Sequence, residues 1–170
     1  HSHTLLKLDL FFCDPPTGNK YWVAEDVNAI FRSCPNLQQC IIRGIRVAPT
    51  NSGAALRLPS GLSELVLHSI DRNKWNLQDS GLSAVSLLCL HYWSVSSAAW
   101  TKLIRGLSSL TKFQVTESVH FDDECLALLC ETCLQLEHVD IDDSDGNITL
   151  RNALFATSTL LRLHTLALMQ

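Results

Sequence analysis

Charge is scarce and unspecialised in this chain. Only 18% of the 170 residues are charged, and the formal net charge is -4 with both signs mixed along the sequence. No positive field is available to gather phosphates or anionic headgroups, so neither nucleic acid nor a membrane is an expected partner. The marks of catalysis are missing too. Seven histidines are scattered without a His-x-x-x-His pair, and there is no nucleophile elbow, glycine-rich phosphate loop or Walker lysine. The expectation is a protein that is not an enzyme and holds no cofactor and no metal. Nothing in the opening residues reads as a positively charged leader, which points to an intracellular protein, cytoplasmic or nuclear. The longest run without charge, residues 80–101, contains six serines and His91. It divides into a strand, VSLLCL, and a helix start at Ser96 or Ser97, so buried core fits it better than a membrane span.

What is plentiful is patterned apolar sequence. With 46% hydrophobic residues the chain can build one continuous core, and residues 1–170 are expected to form a single domain. Residues 121–141, FDDECLALLCETCLQLEHVDI, hold the clearest unit. Leu126, Leu129, Cys130 and Cys133 recur at helical spacing, and Leu136, Val139 and Ile141 follow in the LxxLxL pattern of a short strand. Asp122, Asp123 and Glu124 supply an acidic first turn, where carboxylates can accept from unpaired backbone N–H groups and oppose the positive end of the dipole.

The strand pattern occurs seven times, opening at Leu5, Leu37, Leu62, Val85, Leu110, Leu136 and Leu163, with steps of 32, 25, 23, 25, 26 and 27 residues. The hexamers LLKLDL, LQQCII, LSELVL, VSLLCL, LTKFQV and LHTLAL join the template, each apolar at the first, fourth and sixth positions. The helical half recurs in step. Val27, Ile30, Phe31 and Cys34 lead to Leu37, and Trp100, Leu103, Ile104 and Leu107 lead to Leu110, each ten, seven, six or three positions before its strand. A period in the twenties that combines strand and helix is that of the leucine-rich repeat, in which no unit buries its own apolar edge and stacking creates the core. The fold expected is α/β, a leucine-rich-repeat solenoid or horseshoe arc with about seven parallel strands on its concave face and helices or irregular segments on its convex face.

The units are uneven. Residues 13–20, CDPPTGNK, form a turn-rich connection that accounts for the long first step, and residues 22–33 should be the first convex helix. Residues 43–61 carry Pro49, Gly53, Pro59 and Gly61 but lack the apolar quartet, and residues 71–81 put Gln78 and Asp79 in its place. Those two connections should be irregular or a short helical turn, and they are the expected places for mobility or partner contact. Helices return before Leu110 and Leu136, with a weaker case over residues 150–161. Strands open and close the sequence without polar caps, so a segment of a longer repeat protein with both ends uncapped is expected.

The seven cysteines fit the repeat better than they fit disulfides. Cys34 and Cys133 share one repeat position, Cys40 lies inside a strand and Cys130 on a buried helical face, all as small hydrophobes, and Cys13 falls at the corner after its strand. A reducing compartment is the simpler reading. Cys130-x-x-Cys133 has metal or dithiol spacing but lacks a second ligand pair, so packing is the better account. Asp140, Asp142, Asp143, Asp145 and Gly146 resemble a calcium loop, yet counting back from the glycine puts Ile141 first and Asn152 twelfth, and neither suits a ligand position. A solvated acidic corner, open to a basic partner, is expected instead. Asn147-Ile148-Thr149 is a glycosylation sequon that matters only in a secreted protein.

Repeat geometry supplies a surface. Residues between the leucines of each strand point away from the core, and seven strands at about 4.8 Å spacing make a face of roughly 30 Å. The fifth positions form a central row, Asp9, Ile41, Val66, Cys89, Gln114, Asp140 and Ala167, with Ile41, Val66 and Cys89 as its apolar middle. Lys7, Gln38, Gln39, Glu64, Lys112, Glu137 and His138 flank it. One reading is that the concave apolar residues only pack on one another across the sheet; the other is that an apolar centre with a polar rim is the anatomy of a protein interface. The candidate binding residues are therefore Asp9, Gln39, Ile41, Glu64, Val66, Cys89, Lys112, Gln114, His138 and Asp140.

The sequences VNAIFRSCPNLQQCII and CLALLCETCLQLEHVDI resemble the cysteine-containing leucine-rich repeats of F-box proteins, whose usual form runs helix, Cys-Pro-x-Leu, strand. Cys34-Pro35-Asn36-Leu37 matches that junction, and Cys133-Leu134-Gln135-Leu136 keeps the cysteine and leucine. Leu107 and Leu160 replace the cysteine in other units, and Ile45, Ile70, Trp93, Ser118 and Ser144 stand at corners where the family favours Cys or Asn. The resemblance implies the substrate-recognition repeats of a cullin-type ubiquitin ligase, with a separate F-box, not found in these residues, to recruit the cullin adaptor. The other function expected from such repeats is a scaffold or inhibitor unrelated to ubiquitination.

Overall fold

The computed structural model describes residues 4–11, 24–45, 55–69, 76–77, 81–93, 95–118, 120–142 and 146–169. In chain order the elements are β1 (Lys7–Phe11), α1 (Ala24–Ser33), β2 (Gln39–Ile45), β3 (Ala55–Leu56), β4 (Glu64–Ser69), β5 (Asn76–Leu77), β6 (Leu87–His91), α2 (Ser97–Arg105), β7 (Lys112–Thr116), α3 (Asp123–Thr132), β8 (His138–Asp142), α4 (Leu150–Thr157) and β9 (Thr165–Met169). A short 3-10 turn, Leu82–Ala84, precedes β6. The fold is α/β. Seven strands form one sheet in the order β1-β2-β4-β6-β7-β8-β9, and every neighbouring pair is parallel. The strands thus follow one another across the sheet as they do along the chain, without the reversal of order that marks a doubly wound sheet.

Each of the seven strands begins at the third residue of its hexamer. The period-two alternation of a strand then sends the fourth and sixth residues to one face. In the interior strands those residues, Cys40 and Ile42, Leu65 and Leu67, Leu88 and Leu90, Phe113 and Val115, Val139 and Ile141, are all buried. Burying an aliphatic or aromatic side chain of this size stabilises the fold by about 1.5–3 kcal/mol. On the edge strands Leu8, Leu10, Leu166 and Leu168 are only partly buried against the same core.

The approach to each strand is built alike. The carbonyl three residues before the opening residue accepts that residue's N–H in six cases, from Leu37 to Cys34, Leu62 to Pro59, Val85 to Leu82, Leu110 to Leu107, Leu136 to Cys133 and Leu163 to Leu160. At the second hexamer position, Ser63, Ser86 and Thr111 add a side-chain bond, each hydroxyl donating to the carbonyl of the preceding strand's second residue. The turn and the hydroxyl ladder together fix where a strand may start.

Helices cover the buried face. Ser96, Asp122 and Thr149 are the N-caps of α2, α3 and α4, accepting from Ala99 N, Cys125 N and Asn152 N. Each stands fourteen residues before the opening residue of the next strand. From that common start, Trp100, Leu103 and Ile104 in α2 and Leu126, Leu129 and Cys130 in α3 turn inward and are buried. Trp100 meets Phe121 edge-on at 4.9 Å, and Phe121 lies 5.4 Å from Phe113, which ties α2 to the sheet and to the entry of α3. A carboxylate joins α3 to α4. Asp123 accepts from Thr149 N, Thr149 Oγ1 and Asn152 Nδ2 at 2.7–3.1 Å.

Past β2, the described parts of the two connections without an apolar quartet are irregular apart from two short extended segments, and the 3-10 turn Leu82–Ala84 follows the second. Those segments, β3 and β5, pair in parallel as a separate two-stranded sheet beside α1. Asn28, buried on α1, accepts the Arg57 N–H at 2.7 Å and anchors this layer. Two short extended segments need fewer residues than a helix and no helical apolar face. Gly81 closes the second connection with φ of +96°, and a Cβ there would stand 2.8 Å from the Leu58 carbonyl oxygen, so only glycine fits. The Cys13 corner, the connection 13–20, Trp22, Pro49, Gly53, Ile70, Gln78, Asp79, Asp143, Ser144 and Asp145 lie outside the described residues.

Candidate functional site

The face of the sheet opposite the helices is where the candidate binding residues stand. Strand register places Asp9, Ile41, Val66, Cys89, Gln114, Asp140 and Ala167 side by side as one continuous row. Beside it the third positions, Lys7, Gln39, Glu64, Leu87, Lys112, His138 and Thr165, form a second row in the same register. All ten residues read from the sequence are thus brought onto one surface. Ile41, Val66 and Cys89 are half-buried, because cross-strand neighbours cover part of each side chain.

Polar groups on this face bond across strands. Gln39 Nε2 donates to Glu64 Oε1 at 3.0 Å, and His138 Nδ1 lies 3.1 Å from Thr165 Oγ1. The Cys89 thiol, read as an apolar member of the row, donates to Gln114 Oε1 at 3.4 Å. Gln114 Nε2 in turn donates to Asp140 Oδ2 at 3.1 Å. The chain of bonds orients the Asp140 carboxylate and leaves its other oxygen, Oδ1, buried without a donor among the described residues. Leaving such an acceptor unsatisfied costs about 1–3 kcal/mol. Burial and the nearby carboxylates of Asp140 and Glu64 push the Cys89 thiol above its ordinary range, which makes it a hydrogen-bond donor and not a thiolate.

A third row, at the seventh position, escaped the sequence reading because the hexamer ends one residue short of it. Phe11, Arg43, His68, His91, Thr116, Asp142 and Met169 occupy it. Arg43 Nη1 donates to Asp9 Oδ2 at 3.5 Å, an exposed pair worth at most about 1 kcal/mol. The rings of His68 and His91 stack with centroids 5.0 Å apart. His91 Nδ1 shares a hydrogen bond with Thr116 Oγ1. Burial, reinforced by His68 and opposed by Asp140, holds the His91 imidazole below its ordinary range. The signal that could have found this row is the recurrence of His68 and His91 six residues after Leu62 and Val85.

The remaining motifs serve the core or helix ends. Cys130 and Cys133 are buried, with burial pushing their thiols up to about 11 and about 12. Six cysteines among the described residues are unpaired thiols, and no group of three His, Cys, Asp or Glu side chains among those residues is placed to hold a metal ion. In the sequon, Thr149 caps α4 and bonds to Asp123. Among the described residues no helix is long and apolar enough to cross a membrane. The chain matches no protein-family model and no curated protein sequence.

Proposed function

We propose that the chain is a run of leucine-rich repeats whose concave face binds a protein partner, and that it serves as the substrate-recognition region of an F-box-type ubiquitin ligase subunit. The observation that carries the binding reading is the apolar patch of Ile41 and Val66, paired in register, with Leu87 in the neighbouring row, bordered by the hydrogen-bonded Gln39–Glu64 pair and the Cys89–Gln114–Asp140 chain. Such a block, half-buried and flanked by a polar rim, has the composition of an interface centre. The repeat reading is supported by strands laid down in chain order and by N-caps at a constant distance from them. The ligase reading is supported by Cys34-Pro35-Asn36-Leu37 and by the burial of Cys34 and Cys133 at the junction position that F-box repeats use. The adaptor would be recruited by an F-box outside these residues.

The test compares the wild-type gene product with Val66→Asp. A target that binds the wild type, is ubiquitinated in its presence together with the cullin adaptor, and is released by Val66→Asp is the expected outcome. Equal binding of that target by both forms refutes the face. Face-dependent binding without adaptor or ubiquitination refutes the ligase role and leaves a scaffold or inhibitor.

A further inference from the structure

One end of the open face has the two features that a guanidinium recognises. The first is the outer face of a stacked ring pair. His68 and His91 stack with planes 29° apart, and Tyr92 meets His68 edge-on with centroids 5.6 Å apart. Burial and His68 favour the neutral form of His91, so that ring does not present a repelling charge at neutral pH. The second is a set of carboxylates beside that surface. Asp142 lies two strands from His91 in the same row, roughly 10 Å away. Asp140 stands two residues before it on the same face, oriented by Gln114 and with Oδ1 buried, so it contributes charge to the surface and not a contact. Glu117, in left-handed backbone after β7, accepts the Tyr92 hydroxyl. Among the described residues no lysine or arginine forms an ion pair with any of these three carboxylates, and Arg43 is paired with Asp9 near the opposite edge.

We infer that the open face takes an arginine of the partner protein, stacked on the outer face of the His68–His91 pair and paired with the Asp142 carboxylate, with Asp140 adding negative charge behind it, while an apolar residue of the same segment rests on Ile41, Val66 and Leu87. The inference rests on the protein-binding reading of this face. A planar guanidinium can use the rings and the carboxylates together, whereas a lysine ammonium can use mainly the carboxylates. Charge complementarity fixes the sign of the partner group. The apolar block beside it supplies contact area and excludes water.

A random peptide library displayed on phage and panned on the intact 170-residue chain tests the inference. The expected binders share an arginine close to apolar residues and are lost on Val66→Asp. Replacing that arginine by lysine weakens binding about tenfold, as does Asp142→Asn, the scale of one charge-assisted hydrogen bond. Asp140→Asn is the second variant. Thermal melting of both checks folding, and the half-exposed Asp142 alone decides the matter if Asp140→Asn does not fold. Binders that require Val66 but lack arginine, or that hold equally well to Asp142→Asn, overturn the arginine assignment and leave the binding face standing. Binders indifferent to Val66→Asp, or a library that yields none, overturn both.

Discussion

The thiol of Cys133 donates a hydrogen bond to the carbonyl oxygen of Leu107, 3.0 Å away and 26 residues earlier in the chain. Both residues stand three before the opening of their strands, and both are buried. One unit is therefore bonded to the next at the corner where helix gives way to strand. Cys133→Val keeps the side chain apolar and of similar size but removes the donor, and should cost about 1 kcal/mol. Cys133→Ala should cost more, because it also leaves a cavity. Urea unfolding checks both, and equal midpoints for wild type and the valine variant would show that the bond adds nothing to stability.

Buried thiols make stability sensitive to alkali. Burial pushes Cys40, Cys125 and Cys133 up to about 12 and Cys130 up to about 11, from an ordinary 9.0. The folded state thus holds protons that the unfolded chain releases. The contribution is intact below about 9 and is lost as pH rises toward the folded values. Melting temperature should fall over that interval, and a maleimide near neutral pH should leave these four thiols unlabelled until urea is added. Labelling of any of them in the folded protein would show that the core is open to reagent.

His91 should titrate below its ordinary value of 6.5, since burial and His68 both disfavour its charged form. Its folded value is depressed, so the contribution to stability is present above the unfolded value and is lost as pH falls through the folded one. Proton NMR of the imidazole resonances measures this directly. His68→Ala should raise the His91 midpoint by removing both the cover and the repulsion. A midpoint that stays put would show that His68 supplies neither cover nor repulsion.

Leu129 is fully buried beneath α3, whereas Leu154 on α4 is 56% exposed. Leu129→Ala should cost about 2–5 kcal/mol through lost burial and a cavity. Leu154→Ala, with little to lose on folding, should fall within about 0.5 kcal/mol of wild type. Comparable losses at both positions would contradict the helical phase.

Much of this was legible in the residues. Leu37, Leu62, Val85, Leu110 and Leu136 announce buried strand openings, and the same spacing alone puts Ile41 beside Val66 and Cys89. Less legible were the stretches without a periodic signal. The pairing of Ala55–Leu56 with Asn76–Leu77 joins segments too short to show alternation. Nothing in the sequence singles out Ser63, Ser86 and Thr111, yet each bonds to the carbonyl of the strand before it.

By itself, the sequence determined the unit: its period, the phase of its helices and the face each strand would bury. Those follow from local spacing, since a residue's direction depends on its position within its own turn or pleat. Only the tertiary structure decided what the open face holds. The Cys89–Gln114–Asp140 chain and the His68–His91 stack join side chains 23 to 26 residues apart, so they exist only once neighbouring strands are in register. Their burial, and with it the lowered affinity of His91 for its proton and the missing donor at Asp140, arises from neighbours that no single strand contains.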